Sequence, residues 1–236
     1  MPTEAPPAVP TAPPSTTTTF DLTRRPWIPV LRTDGVETEL SLVEVFEQAE
    51  RVRRLVGDVP TQDFALLRLL LAILHDAIDG PREIEDWGDL WDEGLPLDRV
   101  RDYLDEHAER FDLLHPHAPF LQVADLHTEK GGYASLDRVV ADVPNGTRFF
   151  TMRFHGAERL DYAEAARWVV HAHAYDPSGI KAGAEGDPRV KGGKGYPLGV
   201  GWAGNLGGVY VEGDDLRQTL LLNLIPFDTA NLHTHP

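Results

Sequence analysis

Apolar and polar positions along the chain fall into short blocks of two different periods. Trp27-Ile28-Pro29-Val30-Leu31 reads as a first strand, Thr33-Asp34-Gly35 as a polar turn, and Val36 to Leu40 as a second extended piece. Together they predict an N-terminal hairpin. Ser41 and Glu44 then make a capping-box pattern, in which each side chain accepts from the other residue's N–H. Leu42, Val45, Phe46, Ala49 and Val52 recur at helical spacing and predict a helix to about Val56, with Gly57 at the C′ position. Thr61 is placed to cap the next helix, Gln62 to Ile78. Leu66, Leu67, Leu70, Leu71, Ile73 and Leu74 leave that helix little polar face, so it is expected at the centre of the core. Asp79-Gly80-Pro81 ends it.

An acidic helical segment follows, with Trp87, Leu90 and Trp91 on one face, and then a helix over about Leu97 to Glu109. Their many carboxylates are expected on solvated faces. Residues 111–123 contain two prolines and read as an ordered, non-helical connection. Ser135 to Ala141 reads as a short helix, and Phe149 to Phe154 as a strand or extended loop. Asp161 and Glu164 start a helix reaching about Ala174, and a last amphipathic helix spans about Asp214 to Leu224. Trp27, Trp168 and Trp202 lie in apolar contexts and are expected in the core. The fold class predicted is a mixed, mostly helical α+β domain with an N-terminal hairpin.

Composition narrows the chemistry. The 236 residues carry 22 Lys+Arg against 38 Asp+Glu, a formal net charge of −16, which speaks against a simple cationic clamp on nucleic acid while leaving room for a local basic site. Cysteine is absent, so disulfides, thiolate metal sites and a cysteine nucleophile are excluded. Residues 1–19 hold six Pro and six Thr with no Lys or Arg, and read as a disordered tail rather than a secretory signal. The most apolar stretch, Phe64 to Leu74, is interrupted by Arg68 and is too short to span a bilayer. A cytoplasmic protein with no membrane partner is expected, with one domain over residues 20–225 and a polar tail over 226–236.

The glycines point to the most informative segment. Asp176 to Gly213 holds 12 of the 21 glycines in 38 residues, and from Arg189 to Tyr210 there are three basic residues and no acidic one. Glycine allows close backbone approach to a ligand, and interleaved Lys and Arg suit a phosphate backbone. No Gly-Lys-Ser/Thr or G-x-G-x-x-G pattern is present, so neither a Walker loop nor a dinucleotide fingerprint is implied. A flexible surface loop is the alternative reading. The histidine pairs His115/His117, His171/His173 and His233/His235 lack an obvious third ligand, and i, i+2 residues do not share a helix face, so no metal is expected. The four serines, Ser15, Ser41, Ser135 and Ser178, include no G-x-S-x-G, and no catalytic residue or cofactor is nominated.

Several segments together resemble one family. Trp27-Ile28-Pro29-Val30 resembles the opening of CasA, the large subunit of the type I-E CRISPR surveillance complex, Cascade. Pro119-Phe120-Leu121-Gln122 resembles its H-x-PF-x-Q segment. The glycine-rich run Pro177 to Gly208, followed by Asp215-Leu216-Arg217-x-Thr219-Leu220-Leu221-Leu222-Asn223, resembles its glycine loop and the next helix. The resemblance runs from about Phe20 to Ile225. The family's large subunit is about twice as long and ends in a four-helix bundle, so the resemblance implies a truncated product that lacks that bundle and the family's lysine finger and glutamine wedge.

What the resemblance implies is non-catalytic recognition of double-stranded DNA beside the target, at the PAM, within antiviral defence. The glycine loop of the family enters the minor groove, where base edges are degenerate and backbone must come close. Carried over, it comprises Ser178, Gly179, Ile180, Lys181, Ala182 and Gly183, with Arg189, Lys191 and Lys194 as candidate phosphate contacts. A second family loop, toward neighbouring subunits and the crRNA 5′ end, maps to Asn145–Arg159, with Phe149 and Phe150 as anchors and Arg148, Arg153 and Arg159 as phosphate contacts. The implied partners are the other Cascade subunits, crRNA, PAM-containing duplex and, through the complete complex, a helicase-nuclease. A non-functional remnant of such a subunit, or an unrelated phosphate-binding protein with a glycine-rich lid, are the readings that stand beside it.

Overall fold

The computed structural model describes residues 18–141 and 157–226. Strands β1 (Ile28–Arg32), β2 (Glu37–Leu40) and β3 (Val52–Leu55) form an antiparallel sheet in the order β2-β1-β3. Ile28 pairs with Leu40, and Val30 pairs with Thr38 on one side and Leu55 on the other. The predicted hairpin is therefore present, with a third strand on its other edge.

That third strand corrects the helix expected to reach Val56. Helix α1 (Leu42–Glu47) begins as predicted, with Ser41 Oγ accepting from Glu44 N–H and the Glu44 carboxylate accepting from Ser41 N–H at 2.8 Å. It stops after six residues, a 3₁₀ turn over Ala49–Arg51 follows, and Val52–Leu55 turns into strand. The physical reason lies in β1: its second edge carries buried N–H and C=O groups that need partners. Val52 and Leu55 reach the core from a strand as well as they would from a helix. Gly57 is consequently no helix cap, and its N–H donates to the Asp63 carboxylate instead.

Helix α2 (Pro60–Ile78) is the central core element, as predicted. Its start differs in detail. Val59 occupies the N-cap without a side-chain bond and Pro60 sits in the first turn, where its missing N–H costs nothing. Thr61 lies within the helix, its hydroxyl 2.9 Å from His171 Nε2. Gln62 and Asp63 reach back to the N–H groups of Asp58 and Gly57, and burial pushes the Asp63 carboxyl up from the ordinary carboxylate range.

Around α2 pack α4 (Leu97–Glu106), α5 (Tyr162–Tyr175) and α6 (Leu216–Asn223). Helix α3 (Ile84–Glu93) lies on α6 through stacked Trp87 and Trp91, with Trp87 Nε1 donating to Leu221 O at 2.8 Å. Its carboxylates Glu85, Asp86, Asp89 and Asp92 are exposed. The segment expected as a helix over Ser135–Ala141 is only a 3₁₀ turn, Leu136–Arg138, started by Ser135.

Two sequence segments far apart in the chain meet in this core. The buried Trp27 ring lies edge-on to Phe120 at 6.3 Å, and Phe120 stacks on Phe111 at 5.8 Å. Gln122 Nε2 holds the turn by donating to the carbonyls of Leu113 and Phe120. Arg167, from α5, donates to Trp27 O at 3.0 Å and pairs with Glu39 at 2.7 Å, tying α5 to the sheet. Among the described residues no helix is long and apolar enough to cross a membrane.

Candidate nucleic-acid interface

The glycine-rich segment is held by the end of α5. Asp161 caps that helix by accepting from Glu164 N–H at 2.7 Å, as its sequence predicts. Ala166, Trp168, Val170 and Ala174 are buried, and His171 is packed between Trp168 and Tyr175. Burial pushes the His171 ring below its ordinary pKa, so it stays neutral at pH 7 against Thr61. The last carbonyls of a helix lack intrahelical donors. Here the returning chain supplies them: Gly201 N–H donates to Asp176 O at 2.8 Å, Trp202 N–H to His173 O at 3.3 Å, and Ala203 N–H to Ala174 O at 2.8 Å. A Cβ at position 201 would stand 2.6 Å from Ala174 O, so glycine is required for this closure. Both ends of residues 177–200 therefore leave from one fixed point.

Between those ends the chain is more ordered than a flexible loop. Gly179–Ala182 (β4) and Lys194–Leu198 (β5) form an antiparallel hairpin, with Gly179 opposite Leu198 and Ala182 opposite Lys194. Gly183 N–H extends it by donating to Gly193 O at 3.0 Å. A Cβ on Gly183 would meet Val190 Cγ2 at 2.3 Å, whereas one on Gly179 would meet nothing within 4 Å. The two glycines, equivalent in sequence, thus differ: Gly183 closes the hairpin and Gly179 faces open space.

The structure brings Ser178, Gly179, Ile180, Lys181, Ala182 and Gly183 together as one segment, exposed except at half-buried Lys181 and buried Gly183, with Ile180 60% exposed. It also separates the basic candidates into two kinds. Lys181 Nζ is bonded to both carboxylate oxygens of Asp176, at 2.9 and 2.8 Å. Arg189 pairs with Asp187 at 2.8 Å, and that guanidinium holds the Asp187 carboxyl at about 2. Lys191 and Lys194 are exposed and have no ion pair among the described residues. Among the described residues these two are the cations of the hairpin without an ion-pair partner.

The remaining candidates fall elsewhere. Arg148, Phe149, Phe150 and Arg153 lie outside the described residues, and Arg159 is exposed just before α5. Trp202, expected in the core, is 52% exposed and lies against Phe64 at 6.1 Å. Its place beside the glycine-only contact at Gly201 leaves the ring on the surface. Each described histidine pair has a structural use: His115 Nδ1 accepts from the Ala118 N–H at 2.9 Å, His171 bonds Thr61, and His173 donates to Leu121 O at 2.6 Å. Among the described residues no group of three His, Asp or Glu is arranged to hold a metal. Lys130, which no sequence motif marks, lies on a turn that the fold places against the hairpin: Glu185 N–H donates to His127 O at 2.8 Å.

Comparison with known proteins identifies the family of the chain. The family model for CRISPR-associated protein Cse1 matches residues 21–236. CRISPR-associated protein CasA/Cse1 of Thermus thermophilus is 36% identical over 215 residues, covering 88% of this chain and 40% of its own length. The crystal structure of Thermobifida fusca Cse1 is 65% identical, with a TM-score of 0.84 over 92% of this chain and 41% of that one. A chain of a CRISPR RNA-guided surveillance complex has the same fold, with a TM-score of 0.71 at 22% identity over 87% of this chain and 43% of that one. The chain thus spans about 40% of the length of these relatives.

Proposed function

The chain belongs to the family of CRISPR-associated protein Cse1, and from that premise we propose that it serves an RNA-guided surveillance complex as a non-catalytic DNA-recognition subunit. Its part is to bring the β4–β5 hairpin to the minor groove of the duplex beside the target. Family membership removes the reading of an unrelated small-ligand protein with a glycine lid. The single observation that supports the hairpin is its electrostatic exception: in a chain of net charge −16, Lys191 and Lys194 stand exposed, with no ion pair among the described residues, on the same hairpin as the open backbone of Gly179. Backbone at Gly179 can approach a groove without a side chain in the way, and the lysines can meet the flanking phosphates.

Guide-RNA pairing carries sequence specificity in such a complex, so a shallow, degenerate reader suffices here. Segment Asn145–Arg159, with Arg148, Phe149, Phe150, Arg153 and Arg159, is proposed to meet neighbouring subunits and the guide RNA.

The test is the salt dependence of duplex binding by the assembled complex. Replacing Lys191 and Lys194 together by Ala is expected to flatten the slope of log K against log salt by about 2, since each phosphate contact contributes about 1. Replacing Arg189, already neutralised by Asp187, is expected to change it less. A slope unchanged by the double substitution contradicts the phosphate role of the hairpin.

A further inference from the structure

Lysine is rare in this chain and confined to one place. Of 22 Lys+Arg, only Lys130, Lys181, Lys191 and Lys194 are lysine. Three of them, Lys130, Lys181 and Lys194, line a single cleft of about 290 Å³ between the Thr128–Lys130 turn and the hairpin. Lys191 is bridged through its backbone to Lys194, with N–H to O distances of 3.1 and 3.2 Å. The turn is fixed against the hairpin by the Glu185 N–H bond to His127 O, and it reverses at Gly131 with a φ of 60°. Glu129, whose carboxylate lies beside Gly193, is the one acidic residue lining the cleft among those described. Lys181 is neutralised by Asp176, whereas Lys130 and Lys194 are exposed and carry no ion pair among the described residues.

The choice of lysine has a physical meaning. Arginine's planar fork fixes a bidentate geometry, whereas a lysine ammonium is a hydrated point charge on a flexible stem. Point charges suit phosphates that must be held at any sequence, because they follow small shifts of the backbone without losing the contact. An anionic chain entering this cleft meets a cation on either wall, contributed by segments 64 residues apart in sequence.

We propose that the Thr128–Gly131 turn is a second element of the DNA-binding surface, and that Lys130 with Lys194 brackets one strand's phosphodiester backbone of the duplex that the hairpin approaches. This rests on the function proposed above and extends it to a residue outside the glycine segment. The clamp holds the strand while Gly179, at the open edge of β4, faces the groove.

Four lysines make a direct test practical. Reductive ¹³C-methylation of the full chain before its assembly with guide RNA and partner subunits labels them while keeping their charge, and single Lys→Arg variants assign the signals. The probe is a short DNA duplex added at low salt. The expected result is that Lys130 and Lys194 signals shift together, saturate at one Kd, and return as salt is raised, while Lys181, held by Asp176, moves least. Lys130→Ala is expected to weaken duplex binding about threefold and to lower the salt slope by about 1, with Lys130→Arg retaining the slope. If Lys191 and Lys194 respond and Lys130 does not, the turn is no part of the surface, though the hairpin assignment stands. If no lysine responds, both fall. A stronger Lys130 response to single-stranded RNA of equal length overturns the duplex as the clamp's ligand.

Discussion

Leu70→Asp is expected to abolish cooperative folding. Leu70 is fully buried at the middle of α2, the helix against which α4, α5 and α6 all pack. An aspartate there places a carboxylate, without a cationic partner, among Leu66, Leu67, Leu71, Ile73 and Leu74. Burying an unpaired charge costs several kcal/mol, comparable with the about 5–15 kcal/mol that holds a domain together. Thermal unfolding followed by circular dichroism is expected to lose its sharp transition. Arg68→Asp, two residues away on the exposed side, is expected to melt nearly as the parent does. An unchanged melt for Leu70→Asp contradicts the placement of α2 at the centre.

Gly179→Asp is expected to weaken duplex binding by the assembled complex about tenfold or more, equivalent to at least about 1.4 kcal/mol, without altering stability. A Cβ at 179 meets nothing within 4 Å among the described residues, so the effect of the substitution falls on what approaches from outside. There it blocks close backbone approach and sets a carboxylate near phosphates. Gly183→Asp behaves differently, because its Cβ collides with both γ carbons of Val190, a stiff β-branched side chain. It is expected to open the hairpin even in the free chain. Trypsin is a convenient probe, since Arg189, Lys191 and Lys194 all lie in or beside the turn. Faster cleavage there for Gly183→Asp, and parental rates for Gly179→Asp, are the expected pair. Loss of binding in Gly183→Asp alone would reassign the effect to hairpin folding.

The contrast between these glycines shows where sequence stops being informative. Local signals were legible: Ser41 with Glu44, Asp161 and the leucine spacing of α2 each dictate an outcome within a few residues. Strand β3 was not, because Val52 and Leu55 fit either period and the unpaired edge of β1 decides between them. Trp202 was not, because its exposure follows from the backbone closure at Gly201 onto α5. At the site, the glycine segment was legible as a unit, but its charge pattern was not. Asp176 and Asp187 stand in plain view five and two residues from Lys181 and Arg189, and only the hairpin geometry turns them into partners. Lys130 was beyond reach, since the long-range bond between Glu185 and His127 brings its turn to the cleft.

The most direct measurement uses the absence of cysteine from the chain. Ser178→Cys provides a unique thiol at the exposed base of β4, to which an iron–EDTA cleavage reagent can be tethered. The labelled chain is assembled with guide RNA and with partner subunits lacking reactive cysteines, and is then bound to end-labelled target duplex. The expected result is strand cleavage confined to a few nucleotides of the duplex beside the target, lost when Gly179→Asp is added. Bound duplex that is left uncut, or cut evenly along its length, would contradict a hairpin held at the groove.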